Sequence, residues 1–177
     1  MFQPKTIYAQ LAFETIVQYI KHNNITDPHK WLQIKELENK AACFVSLHTN
    51  DGVLRGCIGT IQPVEDSLCE EIIRNAISAC SHDPRFPKVK PHEINDLTLS
   101  VDVLSKPEKV KSIEELDEKK YGVIVSDNNF RRAVLLPDLE GIKNVEHQLQ
   151  IVTRKAGINH TNFNLLNIER FTVQRFH

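Results

Sequence analysis

The sequence predicts an α+β fold: largely antiparallel sheet flanked by helices. Three observations predict it. Apolar residues recur at helical spacing in three separated segments, and two strand pairs close on tight turn residues. Helices and hairpins also follow one another in irregular order, without the regular strand–helix alternation that builds a parallel sheet.

A chain of 177 residues is long enough for one domain with a real core, or two closely packed subdomains. Hydrophobic residues make up 41% and charged residues 25%, as in an ordinary globular protein. Twenty-two Lys and Arg against 23 Asp and Glu leave a net charge of −1, which gives no overall field for holding nucleic acid or an anionic membrane. A local basic cluster of Arg85, Lys88, Lys90 and His92 reads as a solvated loop. No apolar run is long enough to cross a bilayer, and Gln10 and Glu14 interrupt the first apolar stretch where a secretory signal needs its core. Four cysteines without a Cys-x-x-Cys pair suggest reduced thiols and a cytoplasmic protein. The gaps separating Cys57, Cys69, Cys80 and His82 match no compact zinc pattern, so no metal or organic cofactor is expected.

Each element has a local cause. Tyr8, Leu11, Ala12, Thr15, Ile16, Tyr19 and Ile20 fall three and four apart, predicting a helix over about residues 6–21. Residues 22–40 are polar and punctuated by Asp27-Pro28, an irregular crossing with at most a helical turn. Residues 42–48 and 53–61 read as strands joined by a two-residue turn at Asp51-Gly52. That turn pairs Asn50 with Val53, His48 with Arg55 and Ser46 with Cys57. It gathers Val45, Leu47, Leu54 and Ile58 on one face, and Ser46, His48, Arg55 and Cys57 on the other.

Ser67-Leu-Cys-Glu70 has the form of a capping box, and the apolar face from Leu68 to Cys80 predicts a core helix ending before Asp83-Pro84. Pro84, Pro87 and Pro91 then stiffen an extended loop. Leu97, Leu99, Val101 and Val103 alternate with Thr98, Ser100 and Asp102, a half-buried strand. The charged stretch 106–120 carries a short surface helix near 112–116. A second hairpin joins 122–126 to 130–136 across Asp127-Asn-Asn129. Asn144 caps a helix running to Lys155 and stopped by Gly157, and the tail 165–176 is strand-like.

Taken in order, these segments resemble the AMMECR-one domain family, known in prokaryotes as AmmeMemoRadiSam system protein A. The most specific match is Leu54-Arg-Gly-Cys-Ile-Gly59, the family's signature. Phe44-Val-Ser-Leu47, Asp83-Pro-Arg-Phe-Pro87, residues 99–104, Tyr121-Gly-Val-Ile124, Leu136-Pro137 and Lys155-Ala-Gly157 support it. Asp138-Leu139 departs from it, since many relatives have Gln or Glu followed by Val there. The resemblance implies a single AMMECR-type domain over residues 1–177, made of two intimately packed subdomains with the signature beside a cleft between them. It also implies company: a Memo-type protein related to extradiol dioxygenases, and a radical SAM protein. It implies no particular reaction, so chemistry has to be argued from the site.

The signature invites two readings. Gly56 and Gly59 permit close packing with Cys57 as a small buried hydrophobe, or they clear space for a ligand to reach the Cys57 sulfur. On the second reading Arg55, about 6.8 Å along the strand, favours thiolate over thiol, Ser46 offers a hydrogen bond, and His48 is a weaker candidate base. Asp83 and Arg85 are read either as a self-paired structural loop or as a planar fork for a carboxylate or phosphate. The expected function is therefore a small anionic ligand site lined by Arg55, Gly56, Gly59, Asp83 and Arg85, with Cys57 as candidate nucleophile. The competing expectation is a non-catalytic module that docks a Memo-type or radical SAM partner through an apolar patch near Leu136-Pro137.

Overall fold

The computed structural model describes residues 2–127, 129–159 and 162–177. It divides into two compact units, residues 1–103 with 174–177 and residues 104–173. Each carries its own four-stranded sheet, a division between sheets that strand periodicity does not reveal.

In the first unit, α1 (Ile7–His22) starts where Thr6 accepts from the Ala9 amide, and ends at Asn23, whose left-handed φ of 54° lets its N–H reach back to Gln18 and Tyr19. The crossing that follows holds a 3₁₀ turn at Pro28–Lys30 and a single α-turn, α2 (Lys35–Glu38). Strands β1 (Cys43–Thr49) and β2 (Leu54–Gly59) then form the first hairpin. Ser67 caps α3 (Leu68–Ser81): the Glu70 amide donates to Ser67 Oγ at 3.2 Å, and the Ser67 hydroxyl, rather than its amide as in a full capping box, donates to the Glu70 carboxylate at 2.7 Å. After the proline loop comes a 3₁₀ turn over Pro91–Asp96, which periodicity does not reveal, and then β3 (Leu97–Leu104).

β1 lies in the middle of its hairpin and β3, antiparallel to both. Its buried side, Cys43, Val45 and Leu47, joins Leu97, Leu99 and Val101 against the apolar faces of α1 and α3. The other side of the same strands carries Ser46, His48, Thr98, Ser100 and Asp102, by strand alternation.

The second unit begins with β4 (Glu108–Lys109), a strand too short to show in the sequence, and a 3₁₀ turn at Ile113–Glu115 where a short helix was expected. Strands β5 (Gly122–Ser126) and β6 (Arg132–Leu135) pair as predicted; the predicted turn includes residue 128, outside the described residues. Helix α4 (Val145–Lys155) is capped by Asn144, which accepts from the His147 amide at 2.8 Å, and stops at Gly157 with φ 71°. Leu149 and Val152 of α4 pack with Val123, Val125, Ala133 and Leu135. The strand-like tail is two strands with different destinations. β7 (Asn167–Phe171) lies between β4 and β5, and β8 (Val173–Phe176) pairs beside β3 in the first sheet. Leu136 and Pro137, the expected docking patch, are half-buried, and Leu139 beside them is exposed.

Candidate functional site

β2 is an edge strand, and its outer edge is closed by side chains rather than by another strand. The Cys57 amide donates to Asp83 Oδ2 at 2.9 Å, and Arg85 Nη2 donates to the Cys57 carbonyl at 3.1 Å. Both backbone groups of Cys57 thus point away from β1, leaving Ser46 and Cys57 a non-hydrogen-bonded pair whose side chains stand close. Ser46 Oγ lies 3.2 Å from the Cys57 sulfur and donates to it.

The pair Asp83–Arg85 is locked before it meets the strand. Arg85 Nε donates to Asp83 Oδ1 at 3.0 Å and Arg85 Nη2 to Oδ2 at 2.8 Å, while the Arg85 amide adds a third bond at 3.1 Å. Asp83 is buried, and Arg85 is about half exposed at 55% of its side chain. The guanidinium bonded to it holds the Asp83 carboxyl well below the usual carboxylate range, helped by the Cys57 and Arg85 amides and opposed by burial. Asp83 in turn raises the Arg85 pKa, and the Cys57 side chain adds to that shift as a hydrogen-bond partner of the guanidinium. Arg85 is the cation fixed on Cys57, through that residue's carbonyl.

Arg55 is not. The hairpin loop is one residue longer than predicted: Thr49 N donates to Val53 O at 2.9 Å, and Gly52, with φ 85°, closes a three-residue loop. His48 then pairs with Leu54, and a bulge at Arg55 restores Leu47–Gly56 and Ser46–Cys57. The two one-residue shifts cancel, so the register is right at the sulfur and wrong at Arg55. The bulge takes Arg55 off the Cys57 face. Its Nε and Nη2 donate to Glu93 at 2.8 and 3.1 Å, and Nη1 donates to the Pro87 carbonyl at 2.9 Å. That fork holds the Glu93 carboxyl below its usual range. With Asp83 and Arg85 it straps the proline loop along the edge of β2.

The glycines are explained by packing. A Cβ on Gly56 falls 2.2 Å from the Ala79 carbonyl oxygen of α3, and one on Gly59 falls 2.3 Å from the Phe44 ring. The space beside Gly59 that was expected to admit a ligand holds Phe44.

The AMMECR1 family model matches residues 9–176. The chain belongs to the AMMECR1 family. A Thermotoga maritima protein is 46% identical over 169 residues, covering 96% of each chain. A Clostridium acetobutylicum protein is also 46% identical over 175 residues, but this chain spans 36% of its length. The crystal structure of the uncharacterized protein PH0010 from Pyrococcus horikoshii superposes with a TM-score of 0.84 at 29% identity, covering 95% of this chain and 88% of that one. The resemblance and the α+β class read from the sequence therefore hold.

On the polar face of this AMMECR1 chain the cross-strand pairs Cys57–Ser46 and Ser46–Ser100 form one row over three strands. Toward one end lies Asp102, buried and forked by Arg175 at 2.7 and 2.8 Å. Toward the other lies His48, paired with Thr98. Burial lowers the His48 pKa, and the Arg175 charge lowers it further against the pull of Asp102, which favours the neutral imidazole at pH 7. Ser46, not His48, is the side chain bonded to the sulfur. Among the described residues no three His, Cys, Asp or Glu side chains are grouped to hold a metal ion, and no helix is long and apolar enough to cross a membrane.

Ser100 and Glu93 were absent from the sequence-derived site. Ser100 belongs to an alternating strand whose polar side reads as solvated, and only its register against β1 brings it beside Ser46. Glu93 lies 38 residues from Arg55, and no local pattern joins them.

The four thiols of this AMMECR1 chain divide by burial. Cys43, Cys69 and Cys80 are buried, and burial pushes them up to about 12, 11 and 11; Cys57 is partly exposed. Brief treatment of the folded protein with iodoacetamide at pH 7.5 is expected to label Cys57 alone by peptide mass spectrometry, with the other three appearing only in denaturant. Equal labelling of Cys80 and Cys57 in the folded state contradicts this arrangement.

Proposed function

We propose that the polar face around Cys57 binds a small ligand with an anionic group, with Cys57 as nucleophile and Arg85 as the anion's anchor. One observation carries the reading: a partly exposed thiol accepts a hydrogen bond from Ser46 while a half-exposed guanidinium, fixed by a buried carboxylate, bonds the carbonyl of the same cysteine. The thiolate is the form of a cysteine that attacks. Arg55 is left out, since Glu93 and the Pro87 carbonyl take its donors. Gly56 and Gly59 serve by holding the strand against α3 and Phe44.

Two alkylating agents of similar size separate anion attraction from simple access. In each, the sulfur–carbon bond forms as iodide leaves with its electron pair, and only iodoacetate carries a carboxylate. The iodoacetate-to-iodoacetamide rate ratio at Cys57 is expected to exceed that of a free cysteine by about tenfold, the size of one charge-assisted contact. Arg85→Gln is expected to remove that excess and leave the iodoacetamide rate within about twofold. A Cys57 ratio equal to that of free cysteine overturns the reading.

A further inference from the structure

A cleft of about 370 Å³ opens in the first unit between α3 and the crossing that follows α1. That volume is at the lower end of the range for small-molecule sites. Ile73 and Ile77, one turn apart on α3, line it together with Ile25 and Pro28 of the crossing. Ile25 is 71% exposed, a large apolar side chain left in water on a concave wall. Thr26 lies on the same wall, but its hydroxyl is buried and makes no hydrogen bond among the described residues, so it adds no polar group at the surface. The charged lining residues are Glu65, Glu70, Arg74 and His82. Arg74 is already committed, since Nη1 donates to Glu65 at 2.8 Å. Glu70 accepts only the Ser67 hydroxyl, at Oε2; among the described residues its Oε1 accepts nothing and no cation pairs with it. With His82 neutral, two carboxylates against one guanidinium leave the cleft a net charge of −1.

We propose that this cleft binds a small primary amine, with its ammonium on Glu70 Oε1 and its apolar body over Ile25, Ile73 and Ile77. The apolar walls reward burial of a hydrocarbon, and the unpaired carboxylate selects the charge at its end. An ammonium fits better than a guanidinium, whose planar fork needs both carboxylate oxygens, and Ser67 holds one of them. None of the lining residues belongs to the Cys57 site, so neither reading rests on the other.

The test titrates the ¹⁵N-labelled protein by NMR with phenethylamine, 2-phenylethanol and 3-phenylpropionate, one phenyl body carrying a cation, a neutral hydroxyl or an anion. Phenethylamine is expected to shift amide signals of residues 73–78 and to bind about fivefold more tightly than the alcohol, the upper range for an exposed ion pair. Phenylpropionate is expected to bind most weakly. Glu70→Gln keeps an oxygen for the Ser67 hydroxyl and is expected to bring the amine down to the level of the alcohol. Ser78→Leu adds bulk from a partly exposed lining position on α3 and is expected to weaken amine and alcohol alike without lowering the melting temperature. Equal binding of amine and alcohol by the wild type overturns the proposal, as does phenylpropionate binding as tightly as the amine, or no shift with any of the three. An advantage for the amine that survives in Glu70→Gln overturns it by assigning the charge to another group. Binding unchanged in Ser78→Leu overturns it by placing the ligand outside the cleft. Should Glu70→Gln melt far below the wild type, the order of the three ligands in the wild type and the Ser78→Leu result decide the matter.

Discussion

Gly56→Ala is expected to destabilise the protein by about 3 kcal/mol or more, the upper end of the overpacking range. For a chain of this length that lowers the melting temperature by roughly 6–12 °C. The new methyl carbon falls 2.2 Å from the Ala79 carbonyl oxygen and 3.2 Å from its carbon. Both are backbone atoms in the last turn of α3, so no rotamer change relieves the clash. Either β2 leaves β1 or α3 lifts from the sheet, and the core of Val45, Leu47, Ile72 and Ala76 opens with it. Gly52→Ala is the useful contrast: nothing lies within 4 Å of its added carbon, and only the left-handed φ of 85° is strained. Its cost is expected to be about 1–2 kcal/mol. Thermal melts of the two variants should rank in that order. A Gly56→Ala protein melting within about 2 °C of the wild type would mean α3 is not seated on the signature strand.

The same glycine shows what the sequence could and could not reveal. Absence of a side chain at residue 56 announces a close approach, but not whether backbone or ligand makes it; α3, twenty residues on, decides that. Local chemistry was readable throughout: the Ser67 and Asn144 caps, the Gly157 stop and the hairpin ends all rest on contacts within a few residues. The Ser46–Cys57 pairing was readable because burial sorts Val45, Leu47 and Ile58 from the polar positions. The same sorting could not expose the longer loop and the bulge, which compensate one another. What needed distant partners was not readable. Asp83 was recognisable as an acceptor for nearby amides, and it does take the Arg85 amide two residues away, but its bond to the Cys57 amide spans 26 residues. The placement of β8 beside β3 rather than with its neighbour β7 depends on tertiary packing that no periodicity encodes.

Asp83→Ala is expected to cost about 3 kcal/mol, because it removes several bonds to one charged acceptor and leaves the Cys57 amide on the open edge of β2 unpaired. Asp83→Asn keeps an oxygen for the Cys57 amide and loses the charge, and should cost about half as much. The pH dependence separates charge from shape. The folded Asp83 carboxyl lies well below its unfolded value of about 3.9, so its stabilisation is fully present above that value and is lost as pH falls toward the folded one. The gap in stability between wild type and Asp83→Asn should therefore hold steady from pH 7 to about pH 5 and narrow below about pH 4. A gap as wide at pH 3 as at pH 7, measured by urea melts, would assign the loss to packing instead. The strap also sets the geometry of the site, because Asp83 is what aims Arg85 at Cys57. Asp83→Asn should accordingly lower the iodoacetate preference at Cys57 even at pH 7, where the variant remains folded. Retention of the full preference in that variant would show that Arg85 finds the sulfur unaided and that Asp83 serves the strand edge alone.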